Sequence, residues 1–319
     1  MMRLPLYARS APGVPAKAGS RSSAVRAVAE MGPGCRRDTG EAGGAFRSAR
    51  LIAITLLPLI VGVAQPGRAD ELRVCADPNN LPFSDAQRQG FENKLAELVA
   101  RELGKTVSYT WWAQRRGFVR NTLKARECDV VMGVPVGYDP VETTRPYYRS
   151  TYVFVSRADR DLDINSLADE RLRQLSIGVQ LIGDDGSNTP PADALAHRGI
   201  TANVKGYMVY GDYRQSSPPV RLIEAVETGE IDLAAAWGPL AGYAAKSSPM
   251  PLRLTAIVDD GQFVPLKFRF AIAMGVRHGD RALHQQLDEV LARRRTDIQE
   301  LLAAYGVPLV DVPQPAAAE

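Results

Sequence analysis

The chain has 319 residues, with 39 Lys/Arg against 36 Asp/Glu, a formal net charge of +3 and 45% hydrophobic residues, enough for one large domain or two lobes. The basic excess belongs to one end: the first 69 residues carry ten Lys/Arg and three Asp/Glu, and the rest carries 29 and 33. A mildly acidic body gives no ground for nucleic-acid binding, and scattered His197, His278 and His284 do not make a Cys/His metal site.

Residues 1–50 are rich in Ala, Gly, Arg, Ser and Pro and show no hydrophobic period, so they cannot build a core. Arg47 and Arg50 precede an apolar run over 51–63, and Gly67-Arg68-Ala69 follows. Positive flank, short apolar run and small residues before the cut describe a secretory signal peptide with cleavage near Ala69. The run is too short for a spanning helix of ~20 residues, which argues against stable membrane insertion; a signal anchor is the other reading. The leader exceeds the usual ~15–30 residues, so Met31 is an alternative start. Cys75 and Cys128 remain beyond it. In an exported protein they invite a disulfide, with two free thiols on neighbouring strands as the alternative.

The body opens with a strand over 72–76, ending in Asp77-Pro78-Asn79-Asn80. A helix follows with Phe91, Leu95, Leu98, Val99 and Leu103 on one stripe, closed by Gly104. Then come a strand over 107–112, a helix carrying Phe118, Val119 and Leu123, and a strand over 129–132. This alternation predicts a parallel α/β sheet, which binds ligands beyond the carboxyl ends of its strands. Residues 77–80, 112–115 and 134–138 fall at that edge. The strand over 151–155 leads into a second α/β series that starts at 175–180, turns at 181–188 and ends in a strand over 231–235. The chain returns at 268–274. One long helix then carries Leu283, Leu287, Val290, Leu291, Ile298, Leu301 and Leu302, stopped by Gly306 and Pro308. Cys128-Asp129-Val130-Val131-Met132-Gly133 and Ile231-Asp232-Leu233-Ala234-Ala235-Ala236-Trp237-Gly238 repeat one pattern: Asp, apolar strand, Gly/Pro loop. The expected organisation is a leader (1–69), lobe 1 (70–156 and 266–312), lobe 2 (157–265) and a tail (313–319). Two crossings make a hinge that permits closure around a ligand.

Over about 70–310 this plan resembles the type II periplasmic solute-binding proteins of ABC transporters. Gly90-Phe91, the segment from Trp112 to Asp129, and Pro146-Tyr147-Tyr148 fall in the order seen in amino-acid binders. Finer matches resemble one branch, the quinoprotein-dehydrogenase-associated MoxJ/XoxJ group. They are Cys75-Ala76-Asp77-Pro78-Asn79-Asn80-Leu81-Pro82-Phe83-Ser84, Thr144-Arg145-Pro146-Tyr147-Tyr148-Arg149-Ser150-Thr151-Tyr152, Tyr207-Met208-Val209-Tyr210-Gly211-Asp212-Tyr213, Trp237-Gly238-Pro239-Leu240-Ala241-Gly242-Tyr243 and Tyr305-Gly306-Val307-Pro308-Leu309. The resemblance implies a fold of two lobes, each a mostly parallel sheet flanked by helices, joined by a two-strand hinge. It also implies a periplasmic accessory of PQQ-dependent methanol or alcohol oxidation that aids dehydrogenase maturation, with the dehydrogenase as partner and room for a small-molecule ligand.

Departures from amino-acid binders sharpen this. Such a binder needs an Arg for the α-carboxylate and an acid for the ammonium. The Arg position falls on Gly137 or Tyr138, the acid is replaced by Trp237-Gly238-Pro239, and an aromatic of the first loop by Asn80. The ligand-contact candidates are Asp77, Asn79, Asn80, Trp112, Arg115, Tyr138, Gln180 and Trp237, which suit a flat or apolar group held by a few hydrogen bonds. Trp237 can equally close a lobe's core, Arg145 can meet a ligand anion or a structural carboxylate, and Arg293-Arg294-Arg295 reads as a solvated helix face. Residues 207–213 can bind a partner or pack lobe 2. Enzyme action would need a placed acid/base pair; Asp77 is the one carboxylate expected at the cleft, so no catalytic residue and no cofactor are expected. A solute receptor for an ABC permease is the alternative function, for a small polar or aromatic solute.

Overall fold

The computed structural model describes residues 70–182, 187–208, 213–214, 216–258 and 261–310. The leader with its cleavage site, the tail, and parts of two segments discussed above (183–186 and 209–212) lie outside the described residues.

In chain order, β1 (Glu71–Ala76) leads to a small hairpin, β2 (Asn79–Asn80) and β3 (Ser84–Asp85), then α1 (Phe91–Glu102), β4 (Thr106–Trp111), a single-turn α2 (Phe118–Asn121), β5 (Val130–Pro135) and β6 (Glu142–Thr143). The long β7 (Tyr148–Arg157) leads to β8 (Ile177–Ile182), β9 (Ser187–Asn188), α3 (Pro190–His197), β10 (Val204–Met208), α4 (Arg221–Glu227), β11 (Leu233–Trp237), α5 (Gly238–Ser247) and β12 (Leu252–Ala256). Last come β13 (Arg269–Val276), α6 (Arg281–Arg293) and α7 (Arg295–Ala304).

The main sheet has the order β10-β8-β11-β7-β13-β5-β1-β4. At one end β1 runs parallel to β4 and β5; at the other β8 runs parallel to β10 and β11. The long antiparallel strands β7 and β13 join them. The first residues of β7 pair with β13, Tyr148 opposite Ile272 and Thr151 opposite Arg269. Its later residues pair with β11, Tyr152 opposite Trp237 and Val155 opposite Ala234. Each lobe is thus a mainly parallel sheet, and two strands carry the backbone between them.

Period two divides the second lobe's core between two faces. Tyr152, Phe154, Leu233 and Ala235 pack with Ile177, Val179 and Leu195 on one side. Val153, Val155, Ala234 and Ala236 pack with Leu222, Ile223 and Val226 on the other. In the first lobe α1 lays Phe91, Leu95 and Val99 on β1 and β5 at helical spacing. The repeated Asp has the same local purpose twice. Asp129 N–H bonds the Arg73 carbonyl and its carboxylate takes the Arg73 side chain, at 2.9 and 2.6 Å. Asp232 N–H bonds the Ser176 carbonyl and its carboxylate accepts from the Ser176 N–H and hydroxyl. The two pairs have the same sequence separation, 56 residues.

Three local expectations change. The C-terminal helix is two helices, broken at Arg294 (φ −102°, ψ 23°), so that Leu287 and Val290 of α6 and Ile298 and Leu302 of α7 both reach the core under α1. Arg293 and Arg294 pair with Glu102 rather than only facing solvent. The helix carrying Phe118 lasts one turn, ending at Thr122 (φ −118°, ψ −82°). Cys75 and Cys128 form a disulfide with Cα atoms 5.5 Å apart, beneath Phe118, Leu123 and Val131.

Candidate functional site

The carboxyl ends of the parallel strands converge on a cavity of about 890 Å³ walled by both lobes. Phe83, Tyr148, Tyr152, Trp237, Phe270 and Ile272 are among its apolar wall residues, and Asn80, Glu92, Gln114, Gln180 and Thr189 among its polar ones. Arg115, Arg116, Arg120 and Lys124 also line it and are exposed, which puts four cationic side chains at the rim.

Five of the eight ligand-contact candidates lie on this wall: Asn80, Arg115, Tyr138, Gln180 and Trp237. Asn80 is 3% exposed, and its Nδ2 donates to Gln114 Oε1 at 3.0 Å. Tyr138 is an exposed rim aromatic. Gln180 Oε1 accepts the Trp237 N–H at 2.7 Å, tying the ends of β8 and β11 together. Trp237 both lines the cavity and closes core: its ring lies 5.2 Å from Tyr152 and 5.9 Å from Phe270. The glycine after it is required by space, because a Cβ on Gly238 would come within 2.6 Å of the Thr151 carbonyl oxygen.

Three candidates lie off the wall. Asp77 turns inward: its carboxylate accepts the N–H groups of Asn79 (2.9 Å) and Gln114 (2.8 Å). Burial pushes its carboxyl up while those bonds pull it down, so it clamps two loops instead of facing a ligand. Asn79 Oδ1 accepts the Ser217 N–H at 3.0 Å, a bond from the first lobe to the second. Trp112 follows the last residue of β4 and is 42% exposed, while Trp111 stacks on Tyr109 with ring centroids 4.5 Å apart. Arg145 meets Asp288 through its N–H (2.7 Å) and, at 3.8 Å, its guanidinium. Tyr207 is buried and bonds Glu230, packing the second lobe. His278 and His284 contact the carbonyls of Asp139 and Thr143.

The sequence reading missed Glu92, which is 8% exposed and on the cavity wall. Burial pushes its carboxyl up to about 8, with the Tyr147 hydroxyl pulling slightly the other way. Tyr147 Oη is itself buried with no partner of good hydrogen-bond geometry. A signal was present: Glu92 shares the helical stripe of Leu95, Ala96 and Val99, all buried, and a charge on an apolar stripe stands out by phase. Among the described residues, no cluster of three or more His, Cys, Asp or Glu could hold a metal ion. No helix there is long and apolar enough to cross a membrane.

The fold and the inter-lobe cavity define a type II periplasmic binding protein. The chain belongs to the bacterial extracellular solute-binding proteins, family 3, whose model matches residues 72–307. It is 34% identical over 258 residues to Protein MoxJ of Methylorubrum extorquens, covering 76% of this chain and 83% of that protein. Protein MoxJ of Paracoccus denitrificans is 31% identical, over 78% of this chain and 94% of its own length. The crystal structure of the periplasmic binding protein XoxJ from Methylobacterium extorquens AM1 superposes with a TM-score of 0.62 at 34% identity, covering 76% of this chain and all of that one.

Proposed function

We propose that this protein is an exported, periplasmic accessory of a PQQ-dependent methanol or alcohol dehydrogenase and aids maturation or activation of that enzyme. The observation that carries the reading is the near full-length similarity to MoxJ and XoxJ, joined to an aromatic wall at Trp237 where an amino-acid binder holds its ammonium partner. In this reading the leader over 1–69 directs export, and the lobes divide at about residues 156 and 266. Asn80, Arg115, Tyr138, Gln180 and Trp237 touch what enters the cavity. The dehydrogenase is the protein partner, and the chain itself is a binding protein without a catalytic centre. Affinity capture of the tagged protein from periplasm tests this: a quinoprotein dehydrogenase subunit is recovered, and less of it with a variant of two exposed aromatics, Trp112→Ala with Tyr138→Ala. Recovery of ABC permease components without a dehydrogenase contradicts it.

The cavity between the lobes supports a second reading, a receptor delivering a small polar or aromatic solute to a permease. That reading requires a large thermal shift with one compound at concentrations far above its Kd.

A further inference from the structure

Glu92 has no place in the function proposed above. Its carboxyl lies in a wall of aromatic rings, and the backbone makes room for it: a Cβ on Gly133 would stand 2.1 Å from Glu92 Oε1. A carboxyl in such a site is stable only if neutral or paired with a cation. The groups facing it are Gly133 of β5, Tyr147, and Tyr148 at the start of β7, and burial pushes both hydroxyls well above their ordinary range. None is a cation. Glu92 also sits in the first turn of α1, where the helix dipole favours the anion by up to ~1 kcal/mol, less than the burial that pushes the proton on. The carboxyl is therefore a hydrogen-bond donor at neutral pH. The charges that share the cavity, Arg115, Arg116, Arg120 and Lys124, are all positive and attract anions to the rim. A donor at the wall, flat aromatic faces and a cationic rim select one class of guest.

We propose that the cavity takes a flat conjugated molecule bearing a carboxylate or carbonyl oxygen, and that the Glu92 carboxyl donates the hydrogen bond that holds this oxygen against the aromatic wall. The assignment is independent of which dehydrogenase or permease the protein serves, so its failure and a normal deletion phenotype are separate results.

Calorimetric titration with 2-naphthoate and 2-naphthylmethylammonium tests it, on the full protein and on Glu92→Gln and Glu92→Leu, each checked for native circular dichroism. With the Glu92 proton leaving at about 8, the binding-competent fraction falls roughly 30-fold between about pH 6.5 and 9.5, and naphthoate affinity falls with it. Glu92→Gln keeps a donor, so it binds within about 3-fold of the wild-type value and loses the pH dependence. Glu92→Leu binds at least ~10-fold more weakly at neutral pH, as a lost hydrogen bond to a charged group implies. Naphthoate binding that is flat with pH in the wild type, tighter binding of the ammonium probe, or no naphthoate binding at about 1 mM each overturns the proposal.

Discussion

Glu92 also leaves a mark on stability. Its folded-state pKa of about 8 lies above the ordinary 4.5, so the native state binds more protons than the unfolded state between those values. Stability from this group is fully present below about pH 4.5 and declines as pH rises toward 8, by at most ~1.4 kcal/mol per unit. Glu92→Gln removes that loss. Its melting temperature relative to wild type should therefore rise from pH 5 to pH 8, as differential scanning calorimetry reads; a constant difference contradicts the buried, neutral carboxyl. At this scale the strand-end rule marked loops that reach the cavity, and Asn80, Gln180 and Trp237 lie on its wall. It could not say which polar atoms of a loop satisfy backbone groups. Asp77 and Asn79 have short side chains beside unpaired N–H groups, and those N–H groups took them. Trp112 was lost to an alternation that places one ring of the Trp111–Trp112 pair outward whatever its chemistry.

Among the elements, β1, α1 and β5 form the most strongly determined unit, and two variants probe it. Phe91 is fully buried, with its ring edge-on to Phe83, Tyr148 and Tyr305 at 5.4, 6.0 and 5.9 Å. Phe91→Ala should cost about 3–5 kcal/mol, measured as a lowered urea midpoint. The disulfide closes a 53-residue separation between β1 and the approach to β5; paired Cys75→Ala and Cys128→Ala substitutions should cost about 4 kcal/mol on the chain-entropy model. An unchanged midpoint in the double variant would show that the bridge adds nothing to a register already fixed by the sheet. These elements were legible because their periodicity is clean: Phe91, Leu95 and Val99 admit one helical face. The break at Arg294 was not, because the apolar spacing continues across it. Arg294 stands at the break, and its guanidinium meets Glu102 of α1 at 2.6 Å.

For the whole molecule, the two-lobed plan followed from two αβ series separated by one outward and one returning strand. The pairing of β7 with β13 at the crossing was not written in either strand alone. The hydrogen bond from Ser217 N–H to Asn79 Oδ1 joins the lobes apart from those strands. A bond of that kind is worth about 0.5–1.5 kcal/mol. Asn79→Ala should shift the lobes toward a more open population, raising the radius of gyration in small-angle scattering while leaving far-UV dichroism unchanged. An identical scattering profile would mean that other contacts set the closure. The cavity between the lobes has an aromatic wall and a cationic rim, and the proposed accessory role is the central claim built on this fold. Deleting the gene and assaying PQQ-dependent alcohol dehydrogenase activity in the periplasm tests it most directly. A maturation role leaves normal amounts of dehydrogenase polypeptide with low specific activity, restored by the gene in trans; full activity with normal PQQ and metal content in the deletion strain would contradict it.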